Sequence, residues 1–192
     1  GGARSWGAML QPVAPDRWRV AELTVNYRTP SEIMAVAADV LAAVDPSSEV
    51  PSSVRDAGFP PYARRVPAGV DRSEHVATVV GEARAAIADG KLAVITPSVY
   101  YDGIVAAAAA AYPGEVGTGA AGLDTPIAIL TVTEAKGLEF YAVVLVEPAD
   151  WLETGERGLR DLYVALTRAT QRLDVVSAEP LPSVLAGLTT VG

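Results

Sequence analysis

Residues 127–140 read I-A-I-L-T-V-T-E-A-K-G-L-E-F, and this stretch decides the fold of the chain. The apolar run 127–132 predicts a buried strand, and the run 142–146 predicts a second one. Between them lies a short charged segment that contains Gly137. Open α/β sheets bind ligands in the loops at the carboxyl ends of such strands. The segment is therefore a candidate ligand site at a strand's carboxyl end, with its ligand still open.

Helical and strand-like patterns alternate through the rest of the 192 residues. The segment Thr29-Pro30-Ser31-Glu32 predicts a helix start, with Thr29 as N-cap and Glu32 closing a capping box. This alternation predicts one α/β domain, with a mostly parallel sheet covered by helices on both faces. A stretch rich in Pro, Ser and Gly, residues 45–62, predicts a loop. Further helices are expected after Asp71, at 98–111, around 159–166 and at 182–188, and further strands at 21–25, 64–67, 92–96, 115–117 and 173–177.

Charge and composition restrict the class of protein. The formal net charge is −8, with 15 basic and 23 acidic side chains. A free-standing nucleic-acid-binding domain usually has a basic surface, so we expect any DNA contact to be local and shared with another domain. The absence of cysteine excludes disulfides, and the single histidine argues against a zinc site. No apolar run is long enough to span a membrane and no signal peptide is evident, which predicts a cytoplasmic protein without a membrane partner.

The segment Asn26-Tyr27-Arg28 lies between a predicted strand and a predicted helix, and therefore on the expected ligand edge of the sheet. The guanidinium of Arg28 could bind phosphate oxygens in a bidentate manner, and the ring of Tyr27 could stack on a flat base. The pattern alone favours a surface arginine beside a half-buried tyrosine. Gly137 allows a close backbone approach or a positive φ.

Three stretches resemble motifs IV, V and VI of the UvrD/Rep-type superfamily 1 helicases, in that order. They are L-T-V-N-Y-R-T-P-S-E-I at 23–33, T-V-T-E-A-K-G-L-E-F at 131–140 and L-Y-V-A-L-T-R-A at 162–169. The resemblance implies a RecA-like fold of the P-loop NTPase type that lacks the P-loop itself. By this resemblance, residues 21–192 are the second RecA-like domain of a helicase, and residues 1–20 are a lead-in from the preceding lobe.

The resemblance also implies a role for each motif residue at an ATP site. Tyr27 would stack near the adenine, and Arg28 would reach the terminal phosphate. Glu139 would accept hydrogen bonds from the ribose hydroxyls, beside a close backbone approach at Gly137. Arg168 would enter the site as an arginine finger, a contribution of roughly 10³–10⁵ in rate where it occurs.

The same loop of motif V touches single-stranded DNA in the resembling helicases, which makes Thr133 and Lys136 candidate nucleic-acid contacts. Many family members have histidine where this chain has Thr133, and here Glu134 follows it. A carboxylate facing a phosphate backbone hinders binding. In this departure, motif V of the chain resembles that of the helicase-IV-like proteins that accompany bacterial RNA polymerase, the HelD group. The implied partners are RNA polymerase or single-stranded DNA.

The chain contains neither a G-x-x-x-x-G-K-[ST] phosphate loop nor the D-E-x-x sequence that binds magnesium. By resemblance, both belong to a first RecA-like lobe. We therefore expect ATP to be shared with that lobe and Mg²⁺ to be held by it. The isolated chain should bind ATP weakly and should not hydrolyse it.

Three functions remain open at this stage. The chain could serve an ATPase that remodels RNA polymerase, a UvrD-type DNA helicase or translocase in DNA repair, or a non-catalytic interaction module. An ordinary doubly wound nucleotide-binding enzyme would need a phosphate loop, which the chain lacks, or a G-x-G-x-x-G that opens a helix. The chain has this spacing only at 117–122, G-T-G-A-A-G, where a strand rather than a helix is expected to follow. Side chains expected at the surface are His75, Arg64-Arg65, Arg172 and the tryptophans Trp6, Trp18 and Trp151, the last three as anchors for a partner domain.

Overall fold

The computed structural model describes residues 25–191. Its strands are β1 Val25–Asn26, β2 Ser52–Ser53, β3 Tyr62–Arg65, β4 Leu92–Ile95, β5 Val116–Thr118, β6 Ile127–Leu130, β7 Phe140–Val146, β8 Ala169–Ser177 and β9 Thr189–Val191. Its α-helices are α1 Ser31–Val44, α2 Arg72–Ile87, α3 Ser98–Ala111, α4 Val132–Ala135, α5 Pro148–Leu152 and α6 Glu156–Leu166. Short 3₁₀ helices cover Gly119–Asp124 and Ser183–Leu185.

Seven of these strands form one parallel sheet in the order β5-β6-β4-β7-β8-β3-β9. β1 and β2 form a separate parallel pair. Because all strands of the main sheet run the same way, the sheet has an amino edge, where its strands begin, and a carboxyl edge, where they end. The predicted α/β architecture with a mostly parallel sheet is confirmed.

Helices cover both faces of the sheet, as predicted. Alternate residues of β4 point to opposite faces, which is the strand period of two. Leu92 and Val94 belong to the core under α2 and α3, whereas Ala93 and Ile95 belong to the core under α1 and α6. The sheet is therefore buried between two apolar layers, so candidate ligand sites are expected at the two ends of its strands.

The segment 131–139 folds back across one face of the sheet. β6 ends at Leu130, and β7 begins at Phe140 on the far side of β4. Because both strands are parallel, the chain must return from the carboxyl edge to the amino edge between them. Helix α4 occupies the first part of this return, and Ala135 packs into the core beside α1 and α6. We call residues 131–139 the crossing segment.

Several predicted boundaries are wrong at their ends. The strand expected at 127–132 stops at Leu130, because Thr131 caps α4 with a capping box to Glu134. The helix after Asp71 has the expected cap and ends at Ile87, and α3 spans the expected residues 98–111. The helix expected at 182–188 is a single 3₁₀ turn followed by β9. The predicted strand 21–25 and the lead-in 1–20 lie outside the described residues, except for Val25.

The predicted cap of α1 is wrong. The N-cap is Pro30, which makes no side-chain cap bond. The Thr29 hydroxyl instead donates to the backbone oxygen of Thr167 at 3.4 Å. Glu32 accepts from the backbone N–H groups of Ala57 and Gly58, each at 3.1 Å, rather than from the cap. Residues that resemble a local cap are thus used for tertiary contacts.

Candidate functional site

Glu139 and Arg168 lie at the amino edge of the sheet, where each directly precedes a strand. Glu139 precedes β7, Arg168 precedes β8, and the first residues of these strands, Phe140 and Ala169, are partners in the sheet. The prediction that this loop forms a ligand site at a carboxyl end is therefore wrong for Glu139. The crossing segment carries the chain back before Glu139 is reached.

The loop after β1 places Arg28 against Glu139. The Asn26 side-chain oxygen accepts from the backbone N–H of Arg28 at 2.8 Å and of Thr29 at 3.1 Å, which fixes the turn. The Arg28 Nη1 atom lies 2.8 Å from Glu139 Oε1, and the side chains are 77% and 36% exposed. An exposed ion pair of this kind contributes at most about 1 kcal/mol. Little free energy opposes its exchange for another anion.

Arg168 connects motif VI to the backbone of motif V. Its Nε donates to the Val164 oxygen at 3.0 Å, its Nη1 to the Leu138 oxygen at 3.1 Å, and its Nη2 to the Thr167 hydroxyl at 3.2 Å. These bonds engage three of the five N–H groups of the guanidinium. The half-buried guanidinium is therefore held next to the residue that precedes Glu139.

A cleft of about 370 Å³ opens at this edge. We call it the amino-edge cleft, and its volume falls within the usual range for small-molecule sites. Tyr27 stands beside it with 69% of its surface exposed. The cleft joins residues of four segments, and its lining consists of Tyr27, Arg28, Arg55, Glu139, Phe140, Tyr141, Thr170 and Gln171.

Gly137 has a φ of +79°, and a Cβ added there would meet nothing within 4 Å. The backbone conformation, rather than lack of space, therefore requires glycine at this position. The expected positive φ is confirmed. Sequence reasoning missed Arg55, because it lies in the loop predicted at 45–62 and belongs to none of the three motifs.

A second recess, the carboxyl-edge groove, lies across the sheet. It encloses about 370 Å³ at the ends of β4 and β6. Thr133 lines it, so the structure separates Thr133 from the motif residues of the amino edge. The groove is walled by α5 and α6 on its other side, and its lining is Thr96, Pro97, Ser98, Thr131, Val132, Thr133, Asp150, Trp151, Thr154, Gly158 and Asp161.

Two charged residues of motif V, Glu134 and Lys136, are hydrogen-bonded or ion-paired near this groove. Glu134 Oε2 accepts from the Thr131 backbone N–H at 2.8 Å and from its hydroxyl at 3.1 Å. The carboxylate that we expected to face a phosphate backbone is therefore turned onto a helix cap. Lys136 Nζ lies 3.5 Å from Asp161 Oδ1, so this candidate nucleic-acid contact is half of an ion pair.

A polar network supports the wall of the carboxyl-edge groove. The Tyr100 hydroxyl donates to Asp150 Oδ2 at 2.5 Å. This hydrogen bond, together with burial, raises the pKa of Tyr100 to about 12. The Arg72 guanidinium lies 4.0 Å from the centre of the Tyr100 ring and 2.9 Å from the fully buried Glu147. Glu147 adopts a φ of +51°, and its Oε1 accepts from the Ala178 N–H at 2.6 Å. The wall is thus tied to the end of β7.

Four expectations of exposed side chains are wrong. Trp151 is only 7% exposed, and its indole N–H donates to the Val146 oxygen at 3.0 Å. Arg172 and Arg64 flank the buried Asp174, at 2.8 and 2.9 Å. His75 has a buried Nε2 without a hydrogen-bond partner among the described residues, and burial lowers its pKa. Trp6 and Trp18 lie outside the described residues.

Residues 25–191 contain no cluster of His, Cys, Asp or Glu side chains that could hold a metal ion. Within the same range, no helix is long and apolar enough to cross a membrane.

Comparison with known proteins supports motifs V and VI, whereas motif IV at 23–33 lies outside the matched residues. Residues 126–176 match the model of the UvrD-like helicase C-terminal domain family. No curated protein matches the chain.

Among solved structures, the chain is similar to the C-terminal domain of a possible DNA helicase from Lactobacillus plantarum WCFS1. The TM-score is 0.65 at 20% identity, over 86% of this chain and 99% of that one. It is also similar to the SWI2/SNF2 ATPase core of Sulfolobus solfataricus, which was solved in complex with double-stranded DNA. There the TM-score is 0.52 at 12% identity, over 89% of this chain and 38% of that one. The chain therefore has the fold of a RecA-like helicase lobe, and its residues 126–176 carry the sequence pattern of the UvrD-like helicase C-terminal domain.

Proposed function

We propose that this chain is the C-terminal lobe that completes the ATP site of a superfamily 1 helicase-like ATPase. One observation carries the proposal. Arg28, Glu139 and Arg168 come from three distant segments and assemble at the amino edge. Arg28 Nη1 lies 2.8 Å from Glu139 Oε1. Arg168 Nη1 donates at 3.1 Å to the backbone oxygen of Leu138, which directly precedes Glu139.

The amino-edge cleft offers the groups that a nucleoside triphosphate requires. An exposed ring at Tyr27 can stack on a base, and guanidiniums bind phosphate oxygens. A phosphate that approaches Arg28 would replace Glu139 as its partner. The released carboxylate would then accept hydrogen bonds from ribose hydroxyls. The ion pair thus holds both groups in place before the ligand arrives.

The proposed ATPase needs a first lobe for the rest of the site. ATP would lie between the lobes, the first lobe would hold the α and β phosphates and Mg²⁺, and Arg168 would stabilise charge on the transferring phosphoryl group. In this proposal residues 21–192 are the second lobe, and residues 1–20 lead in from the first. The isolated chain would not hydrolyse ATP.

For the load, we favour RNA polymerase remodelling over movement along DNA. The carboxyl-edge groove is lined by the carboxylates of Asp150 and Asp161 and by no Arg or Lys among the described residues. Lys136 beside it is paired with Asp161. The net charge of −8 acts in the same direction, because phosphate backbones are bound chiefly by cations. The likeness of motif V to the HelD group agrees with a protein load.

A DNA translocase of the UvrD type is the second candidate. The groove contains the hydroxyls of Ser98, Thr131 and Thr133. It also lies at the N-terminus of α3, whose N–H groups favour phosphate. These groups could contact a single strand if another lobe supplied the cations.

The test is ATP turnover by the protein that carries both lobes. Arg168→Ala should lower kcat by roughly 10³-fold, the contribution of an arginine finger. Arg157→Ala is the matched control, because Arg157 is exposed on α6, the helix that precedes Arg168. Unchanged turnover in Arg168→Ala, or Arg168-dependent turnover by the isolated chain, would refute the proposal.

The load is tested by purification of the two-lobed protein from its own cells after nuclease treatment. Polymerase subunits that stay bound would support remodelling. Partners that disappear with nuclease, and a steep salt dependence of single-strand binding, would support the translocase.

A further inference from the structure

The loop after β2 brings a second arginine, Arg55, to the amino-edge cleft. β1 and β2 pair in parallel, with Val25 opposite Ser52 and Asn26 opposite Ser53. Parallel strands end at the same edge, so the loops that follow them start side by side. Arg28 and Arg55 each stand two positions beyond the last paired residues, and both line the cleft. The register of this small sheet therefore sets two guanidiniums at one opening.

The Arg55 loop is fixed against α1 and β8. The Arg55 backbone oxygen accepts from the Ser31 N–H at 2.7 Å and from the Ser53 hydroxyl at 3.2 Å. The Ser53 hydroxyl also lies 2.5 Å from the Thr29 oxygen, which ties this loop to the one that carries Arg28. The Arg55 guanidinium donates through Nη2 to the Thr170 oxygen. Arg55 is thus held in position before any ligand binds.

The charge of Arg55 differs from that of Arg28. Glu139 compensates Arg28 at 2.8 Å. Arg55 is half-buried and has no carboxylate within ion-pair distance among residues 25–191; its contact to Thr170 is with a neutral carbonyl. A guanidinium that is partly withdrawn from water without a counter-ion favours an anionic ligand. Arg55 therefore gives the cleft a positive charge that no described residue balances.

We infer that Arg55 is a second phosphate-binding arginine of this cleft, beside Arg28, and that it contacts the polyphosphate of a nucleoside triphosphate. The inference rests on the proposed nucleotide site and extends it to a residue outside motifs IV, V and VI. Arg28 and Arg55 both line the opening, and Arg55 is held there by Thr170, which also lines it. A polyphosphate between the two arginines would be held from both loops.

The experiment is an NMR titration of the ¹⁵N-labelled chain with inorganic triphosphate, ATP and adenosine at millimolar concentrations. Arginine Nε–H resonances report contact with phosphate directly. We expect the Arg55 and Arg28 signals to shift and saturate together with triphosphate and ATP, and to respond little to adenosine. A merely structural role of Arg55 would leave its signal insensitive to triphosphate.

Variants then give the size of the effect. Arg55→Ala should weaken triphosphate binding roughly tenfold, the value of about one charge-assisted hydrogen bond. Adenosine binding should be unchanged. Arg55→Lys should recover part of the loss, because lysine keeps the charge without the fork. Arg65→Ala is the control, because Arg65 is an exposed arginine at the carboxyl end of β3.

The outcomes separate this inference from the proposed function. If Arg28 shifts with triphosphate and Arg55 does not, or if Arg55→Ala binds like the unmodified chain, the inference is wrong and the nucleotide site stands. If neither arginine responds to ATP or triphosphate, the inference is wrong, and ATP turnover by the two-lobed protein and its Arg168→Ala variant then decides the nucleotide site.

Discussion

The two edges of the sheet are built in different ways. At the amino edge, Arg28 contacts Glu139 across 111 positions of sequence, and four of the eight residues that line the cleft are exposed. At the carboxyl edge, Thr131 and Glu134 form a local cap three positions apart, and Trp151 is buried in the wall of the groove. The amino-edge cleft thus depends on the alignment of distant segments, whereas the carboxyl-edge groove depends on local helix starts and close packing. A change at one edge should therefore leave the other largely intact.

The largest effect is expected at the carboxyl edge. A Cβ at Gly158 would lie 1.7 Å from the Trp151 backbone oxygen, so Gly158→Ala must displace α5 or α6. We expect a loss of about 3 kcal/mol in the free energy of unfolding, the upper part of the range for overpacking. Denaturant unfolding measures it. Gly187→Ala is the control, because its Cβ would have ordinary contacts of 3.5 Å or more. Equal stability of the two variants would contradict the close packing of this wall.

The next effect is a pH dependence at the same edge. The pKa of Tyr100 is about 12 in the folded chain and about 10 in an unfolded one. The folded state therefore binds more protons between these values, and stability should fall as pH rises from about 10 to about 12. In Asp150→Ala the pKa of Tyr100 should return towards 10, which an NMR titration of labelled tyrosine can follow. A Tyr100 that ionises near 10 in the unmodified chain would exclude the hydrogen bond.

A smaller effect is expected in the crossing segment. Gly137→Ala places a side chain at a φ of +79°, where no atom obstructs it. The backbone strain should cost about 1 kcal/mol in the free energy of unfolding. Because Glu139 follows closely, the distance-sensitive ion pair to Arg28 should weaken, and the signals of the amino-edge cleft should shift in an NMR spectrum. Shifts confined to the carboxyl-edge groove would contradict this placement.

The smallest effect is expected at the amino edge. Arg28→Ala removes an exposed ion pair, and the free energy of unfolding should change by less than about 1 kcal/mol. A double-mutant cycle with Glu139→Gln measures the coupling of the two side chains. A coupling of several kcal/mol would mean that the pair stabilises the fold, and the contrast between the edges would then be wrong.

The sequence predicted the α/β layers and the helix α3 well, because Pro97-Ser98 and Tyr112-Pro113 are strong local boundaries. The period of apolar residues also located the buried strands β4 and β7. These features depend on short-range chemistry, which the sequence displays directly. The assembly of Arg28 with Glu139 was expected only from the resemblance of three motifs.

Other features depend on partners that no local pattern reveals. Arg172 was expected at the surface. It is buried instead, because its guanidinium forms an ion pair with the buried Asp174. Arg55 reaches the cleft through the register of β1 and β2, which two-residue strands do not signal. The prediction that Glu139 lies at the carboxyl edge was wrong, because nothing in the apolar pattern indicates that the chain recrosses the sheet between β6 and β7.

The crossing segment sets the spacing between the two edges of the sheet. It is capped at Thr131 beside the groove, anchored in the core by Ala135, and ends at Glu139 in the cleft. An added residue would advance the chain by about 3.3 Å, which is enough to separate Glu139 from Arg28. The length of this segment, more than the identity of its charged residues, therefore sets the distance between the amino-edge cleft and the carboxyl-edge groove. Insertions here should be far less tolerated than in the turn at 46–49, although both lie between regular elements.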